Sequence, residues 1–262
     1  MRRFGLAAGL ISALCLIQPG CKFSPPPDPN DPHAVAPQDL APLLHETIRG
    51  AADSLNDRVV SGQISDRQRL DLLASKASEL LSDGDPQHCR PEDAWIYGDL
   101  LMTAGRFKDA IPVLQKAVKY AASVHNDDRR VNDSLRLARA LAETGQTEAS
   151  LNLVQSVIDS GPKDPGPILP AVLLQITPVA QGKGDDYQLA KVLEEAIQEH
   201  LKEKVDPKSD AGRMFLIARI HHIRKAWFTI ITLLKSSGHS AEADAAAQKA
   251  TQMMQQLEGV TV

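Results

Sequence analysis

Apolar residues recur along this chain at helical spacing. Leu40, Leu44, Ile48, Ala51, Leu55 and Val59 stand three or four residues apart, so they share one face while the positions between are mostly polar. Gly62 ends that run. Ser65 and Gln68 follow at the spacing of a capping box, in which each side chain satisfies the other's backbone amide. Leu70, Leu73, Ala77, Leu80 and Leu81 form the next apolar face, and Asp83-Gly84-Asp85-Pro86 stops it. Apolar face and polar turn continue to alternate toward the C-terminus, and no segment shows the two-residue alternation of a strand. The pattern predicts an all-α body over residues 37–262.

The turn itself recurs. SGQISD holds Gly62, AGRFKDA holds Gly105, TGQTEAS holds Gly145, SGHSAEA holds Gly238, and a looser copy, GKGDDYQLA, holds Gly184. The intervals are 43, 40, 39 and 54 residues. Each glycine follows one amphipathic run and precedes another, where a residue free to take positive φ ends a helix without strain. Five helical hairpins at intervals near 40 residues imply a solenoid. Periodicity alone leaves a non-repeat helical bundle as the alternative.

The hairpins resemble the tetratricopeptide-repeat (TPR) family. The best unit, AWIYGDLLMTAGRFKDAIPVLQKAV at 94–118, carries the small residue Gly98, the turn glycine Gly105, the aromatic Phe107, and Ala110 and Ala117. A second unit matches at Leu137, Ala138, Gly145 and Ser150 and has Pro162 after its second helix; a last unit matches at Trp227, Ile230, Gly238, Ala243 and Ala250. Small residues at these positions let two helices approach closely. The best repeats span 91–122, 131–162 and 224–257. The family period is about 34 residues, shorter than the intervals here, and Pro112, Pro170 and Pro178 fall inside expected helices, where they should kink or shorten them. The resemblance therefore implies an irregular TPR-like solenoid.

The N-terminus changes the picture of where this body resides. Arg2 and Arg3 precede the apolar run FGLAAGLISALCLI at 4–17, which has the length of a signal-peptide core and is short for a membrane span. Gly20-Cys21 follows, and the stretch resembles a bacterial lipoprotein signal. That resemblance implies a signal peptide over 1–20, lipidation of Cys21, and a tether over 21–36. A plain secretory signal or an uncleaved anchor are the alternatives. The tether, FSPPPDPNDPHAVAP, is dense in proline and reads as a semi-rigid spacer. Lys22 stands where an aspartate would resemble an inner-membrane retention signal. The expected location is the cell envelope, at the outer membrane facing the periplasm if the cell has two membranes.

Charge and cysteine content narrow the class. The net charge is −4, and removing residues 1–20 deletes two arginines and makes it −6. Such a balance argues against a general binder of nucleic acid or anionic membranes. The most apolar later stretch, 215–234, is interrupted by Arg219, His221, His222, Arg224 and Lys225 and is no membrane span. Of three cysteines, the lipoprotein resemblance implies that Cys15 leaves with the signal and that Cys21 is blocked by lipid, so Cys89 is left alone and reads as a small packed hydrophobe.

Candidate chemistry does not assemble in the sequence. Gly238-His239-Ser240-Ala241-Glu242 resembles a nucleophile elbow, but Glu242 replaces the last glycine and a helix precedes where a strand is required. His221 and His222 are adjacent and diverge by about 100° on a helix, so they do not clasp one metal. Glu195, Glu199 and Glu203 read as a solvated acidic ridge. No cofactor, no metal and no enzymatic reaction is expected.

A binding surface is expected instead. In the TPR family the first helix of each pair lines the concave side, and by that resemblance Trp95, Asp99 and Met102 face a groove together with Arg136 and Arg139. An indole beside two guanidinium groups suits an extended peptide bearing an acidic side chain or a C-terminal carboxylate. The competing reading puts Trp95 and Met102 in the core and pairs the arginines with Asp133 and Glu143. The expected role is an exported, lipid-anchored scaffold whose partners are other proteins or peptide segments. A helical bundle that binds a small ligand or cell-wall fragment is the alternative.

Overall fold

A computed structural model describes residues 37–260. The apolar N-terminal run, Cys21 and the proline-rich spacer lie outside the described residues. Among the described residues there is no strand. The helices are α1 (Pro37–Val60), α2 (Asp66–Leu80), α3 (Ala94–Thr103), α4 (Phe107–Ser123), α5 (Asp127–Glu143), α6 (Thr147–Asp159), α7 (Ile168–Ala171), a π-helical stretch (Val172–Ile176), α8 (Thr177–Ala180), α9 (Asp186–Lys202), α10 (Asp210–Ser236) and α11 (Ser240–Val260).

The expected turns are where the helices end. Gly62, Gly105, Gly145 and Gly238 have φ of 72°, 71°, 80° and 84°. Each amide donates to the carbonyl three residues back, and the next amide donates five back, as in Gly105 N to Met102 O (3.1 Å) and Arg106 N to Leu101 O (2.8 Å). These are Schellman caps, and they satisfy carbonyls the helix end leaves unpaired. At the looser copy two glycines share the task, Gly182 at φ 76° and Gly184 at φ 107°. The capping box at Ser65 is present: Ser65 Oγ accepts from Gln68 N (3.2 Å) and Gln68 Oε1 accepts from Ser65 N (2.9 Å).

Five consecutive helical pairs result, with α7, the π stretch and α8 together acting as the first arm of the fourth. Within pairs α1 packs on α2, α3 on α4, α5 on α6, and α10 on α11. Between pairs α2 packs on α3, α4 on α5, α6 on α9, and α9 on α10. The first arms also meet directly, α1 with α3, α3 with α5, and α5 with the π stretch. Among the described residues two apolar cores follow from this order. One holds Leu44, Leu100, Leu101 and Leu114 from α1–α4; the other holds Leu151, Ile168, Leu193 and Trp227 from α5 onward. Helix α5 serves both, with Leu137 and Ala140 turned to the first and Leu135 and Ala138 to the second.

Close helix crossings explain the small residues. A Cβ on Gly98 would lie 2.4 Å from Leu114 Cδ2, so α3 and α4 touch there only because Gly98 has no side chain. At the next crossing the fully buried Ser150 donates its Oγ to Ala138 O at 2.6 Å. The prolines act differently from one another. Helix α4 runs unbroken through Pro112. Around Pro170 and Pro178 the chain is divided instead, and the amide and hydroxyl of Thr177 both donate to Val172 O, the latter at 2.8 Å. In an α-helix the Pro178 ring would press on the carbonyl four residues back; a π turn just before it widens the spiral and relieves that clash.

Candidate functional site

The first arms of three successive pairs enclose a partly open cleft of about 400 Å³. Helix α3 contributes Asp99 and Met102, α5 contributes Asn132, Arg136 and Arg139, and the third wall is formed by Pro167, Pro170 and Gln175. Four of the five groove residues expected from sequence are therefore brought together. They meet because Asp99 and Met102 lie three apart on α3, as do Arg136 and Arg139 on α5, and α3 packs along α5.

The two arginines have different duties. Arg136 is held by carboxylates, with Nη1 3.1 Å from Asp133 Oδ1 and Nε 3.4 Å from Asp99 Oδ1. Asp133 is fully buried, and burial pushes its carboxyl up while Arg136 and Arg129 pull it back. Arg136 thus neutralises a buried charge. Arg139 has only a 3.8 Å approach to Glu143, and its Nε is buried without a hydrogen-bond partner. Of the two arginines on the cleft wall it is the one held less tightly by a carboxylate, and its partly exposed guanidinium can take a charge-assisted contact from a ligand in the cleft.

Trp95 does not line the cleft. Its indole lies edge-on to His45 of α1 at 4.8 Å between ring centres, and the guanidinium groups of Arg129 and Arg136 each sit 5.7 Å from the ring centre. It lies on the same face of α3 as Asp99 and Met102, beside Arg136 and outside the cleft lining. The two arginines beside the indole are Arg129 and Arg136, not Arg136 and Arg139. Met102 is buried in the first core and also lines the cleft. The wall that sequence reasoning missed is the Pro167–Gln175 segment. Its sequence signal, the proline-dense GPKDPGPILP, was legible only as a helix breaker.

Other singled-out residues occupy structural places. Ser240 opens α11 after the Gly238 turn, with no strand before it. The acidic series is not one solvated ridge: Glu195 is exposed and accepts from Gln155 Nε2, Glu199 is buried and pairs with Lys202, and Glu203 lies just past the end of α9. Burial and the neighbouring Asp164 push the Glu203 carboxyl up. Sequence spacing could not separate these because the helix ends between the second and third. Cys89 is partly buried against the first core, and burial pushes its thiol up, away from the reactive thiolate.

A second polar cluster was not foreseen. His200 on α9 is buried with its Nδ1 3.2 Å from Gly166 O. A carbonyl only accepts, so Nδ1 carries the proton, and Nε2 is left buried without a partner. Burial, with Arg219 and His222 nearby, lowers His200 to about 4. Arg219 on α10 donates to Glu203 O at 2.6 Å and lies 4.8 Å from the Phe215 ring centre. These groups bind the 161–167 loop, the end of α9 and the start of α10 to one another. Among the described residues no group of three or more His, Cys, Asp or Glu is placed to hold a metal ion.

No protein-family model matches the chain, and no curated protein matches it.

Proposed function

We propose that the described body is an irregular TPR-like solenoid acting as a protein-interaction scaffold, exported and held at a membrane by a lipid on Cys21. The cleft carries this reading. Its walls come from the first arms of three successive helical pairs, which is the arrangement of a concave repeat surface. It is open along one side and carries both charged and apolar groups, which suits an extended peptide segment better than an enclosed small molecule. Arg139 is the contact for a partner carboxylate, with Met102 and the prolines providing the apolar floor. A closed apolar cavity would favour a helical bundle for small ligands; the cleft is neither closed nor purely apolar.

The test uses Arg139 alone, because reversing Arg136 would strand the buried Asp133 and confound binding with unfolding. Partners are captured from the native cell with wild-type and Arg139→Glu protein. One charge-assisted contact is worth roughly 1.5–3 kcal/mol, so partner binding should weaken tenfold or more. Melting temperature should stay close to wild type. Arg67→Glu with Lys183→Glu, both exposed and away from the cleft, should keep partners bound. If Arg139→Glu retains every partner at full affinity, the cleft is not the docking site. For the anchor, Cys21→Ser should release the protein from membranes; release already seen in wild type would remove that part of the proposal.

A further inference from the structure

Helix α10 packs on α9 and α11 and leaves its opposite side in solvent. Met214, Ile217 and Phe228 on that side are 65%, 60% and 73% exposed. With His221 they recur at intervals of three, four and seven, which at about 100° per residue keeps them in one stripe along the helix. Arg224 and Lys225 occupy the gap between His221 and Phe228, one toward each edge of the stripe.

The charge of this helix is opposite to that of the molecule. It carries five basic residues against one acidic one, Asp210, which pairs with Arg213 at its start; Arg219 is buried and donates to Glu203 O, while Arg224, Lys225 and Lys235 are exposed, in a chain whose net charge is −4. Helices α1, α2, α5, α9 and α11 each carry several Asp or Glu. A long cationic helix with an exposed line of large apolar side chains is the pattern of a segment that lies in a membrane interface. It does not cross one: no described helix is long and apolar enough to span a membrane.

Shape favours a lipid surface over a protein. A standard protein interface buries about 800 Å² per partner around a contiguous apolar centre. Here the apolar side chains stand in single file on a convex helix, with charges between them. A bilayer needs no matching shape. Met, Ile and Phe enter the boundary between headgroups and acyl chains, while lysine and arginine stems reach back to phosphate. We propose that α10 is a membrane-surface contact that rests on anionic phospholipid, with Met214, Ile217 and Phe228 in the acyl boundary and Arg224 and Lys225 at the phosphates. The contact stands whether or not Cys21 carries a lipid.

Phe228→Trp places a reporter in the stripe. Full-length Phe228→Trp and parent chains, which share Trp95 and Trp227, are titrated with phosphatidylcholine vesicles with and without phosphatidylglycerol, and with and without brominated acyl chains. The difference between the two chains isolates position 228. The expected result is a blue shift and bromine quenching at 228 with phosphatidylglycerol vesicles only, reduced severalfold at high salt. Adding Ile217→Glu and Lys225→Glu should weaken this response roughly tenfold or more; Met214→Ser should weaken it less and serves if the charged pair disturbs folding. The apolar run at 4–17 can hold any variant on a vesicle, so the signal at 228, not sedimentation, decides. Equal quenching with phosphatidylcholine alone, or none with either vesicle, overturns the proposal. A vesicle-free blue shift that rises with protein concentration, with a dimer by light scattering, assigns the stripe to a second copy and also overturns it.

Discussion

Gly105 holds φ at 71° with nothing within 4 Å of where its Cβ would lie, so a side chain there meets backbone strain and no steric clash. Gly105→Val should destabilise by about 1–3 kcal/mol, while Gly105→Asn, which tolerates the left-handed region, should cost clearly less. Equal melting temperatures for the two variants would show that the turn relaxes to an ordinary conformation. His200 makes stability depend on pH. Its unfolded value is about 6.5 and its folded value about 4. Above 6.5 the ring is neutral in both states. Between 6.5 and 4 the unfolded chain binds the proton and the folded chain does not, so stability falls as pH falls, by on the order of 3 kcal/mol in all. His200→Gln keeps a donor for Gly166 O and removes the titration. Its unfolding free energy, measured by urea denaturation, should fall less steeply than that of wild type over this window; parallel curves would mean that His200 opens to solvent.

Between elements, the crossing of α3 and α4 depends on one missing side chain. Gly98→Ala adds a methyl 2.4 Å from Leu114 Cδ2, and Leu114 is fully buried and cannot swing away. Overpacking of this kind costs about 1–3 kcal/mol, against which a helical alanine regains up to about 1 kcal/mol over glycine. Leu114→Ala alone leaves a cavity and costs about 2–5 kcal/mol. In the double variant the new methyl fits the vacated space, so the two effects should fall short of their sum by at least about 0.5 kcal/mol. Strict additivity in a double-mutant cycle would mean that α3 and α4 separate at little cost. The prolines illustrate the same scale: Pro112 is accommodated within α4, whereas the turn before Pro178 opens into the π stretch that contributes Gln175 to the third cleft wall.

At the scale of the whole molecule, the described residues form two cores that meet along α5. If the pairs form the proposed solenoid, each unit is stabilised by its neighbours and damage remains local. Leu193 is fully buried in the second core, and Leu193→Ala should cost about 2–5 kcal/mol. Amide exchange should then quicken first across α9–α11 while α1–α3 keep their protection. Uniform loss from α1 to α11 would point to one cooperative bundle and count against the solenoid. Charge also has to be weighed at this scale. A net charge of −4 argued against an anionic surface, yet α10 gathers five basic residues against the single acid Asp210. A chain-wide sum hides a segregated field.

Residue order was enough to read the helices, their five-fold pairing and the glycine turns, because periodicity and positive φ are local properties that act within a few residues of one another. It also placed Asp99 and Met102 on one helix face and Arg136 and Arg139 on another, since residues three apart share a side. Tertiary packing decided the rest. That Arg136 is committed to Asp133 while Arg139 is held only loosely by Glu143, that Trp95 stands outside the cleft lining, and that the 167–175 segment forms the third wall all depend on contacts between α3, α5 and the fourth pair. The same holds for Glu199 and His200, adjacent and polar, both buried because α9 is enclosed by α6, α7 and α10. A sequence period says which residues share a face; only the packed neighbours determine whether that face meets water, a carboxylate or the core.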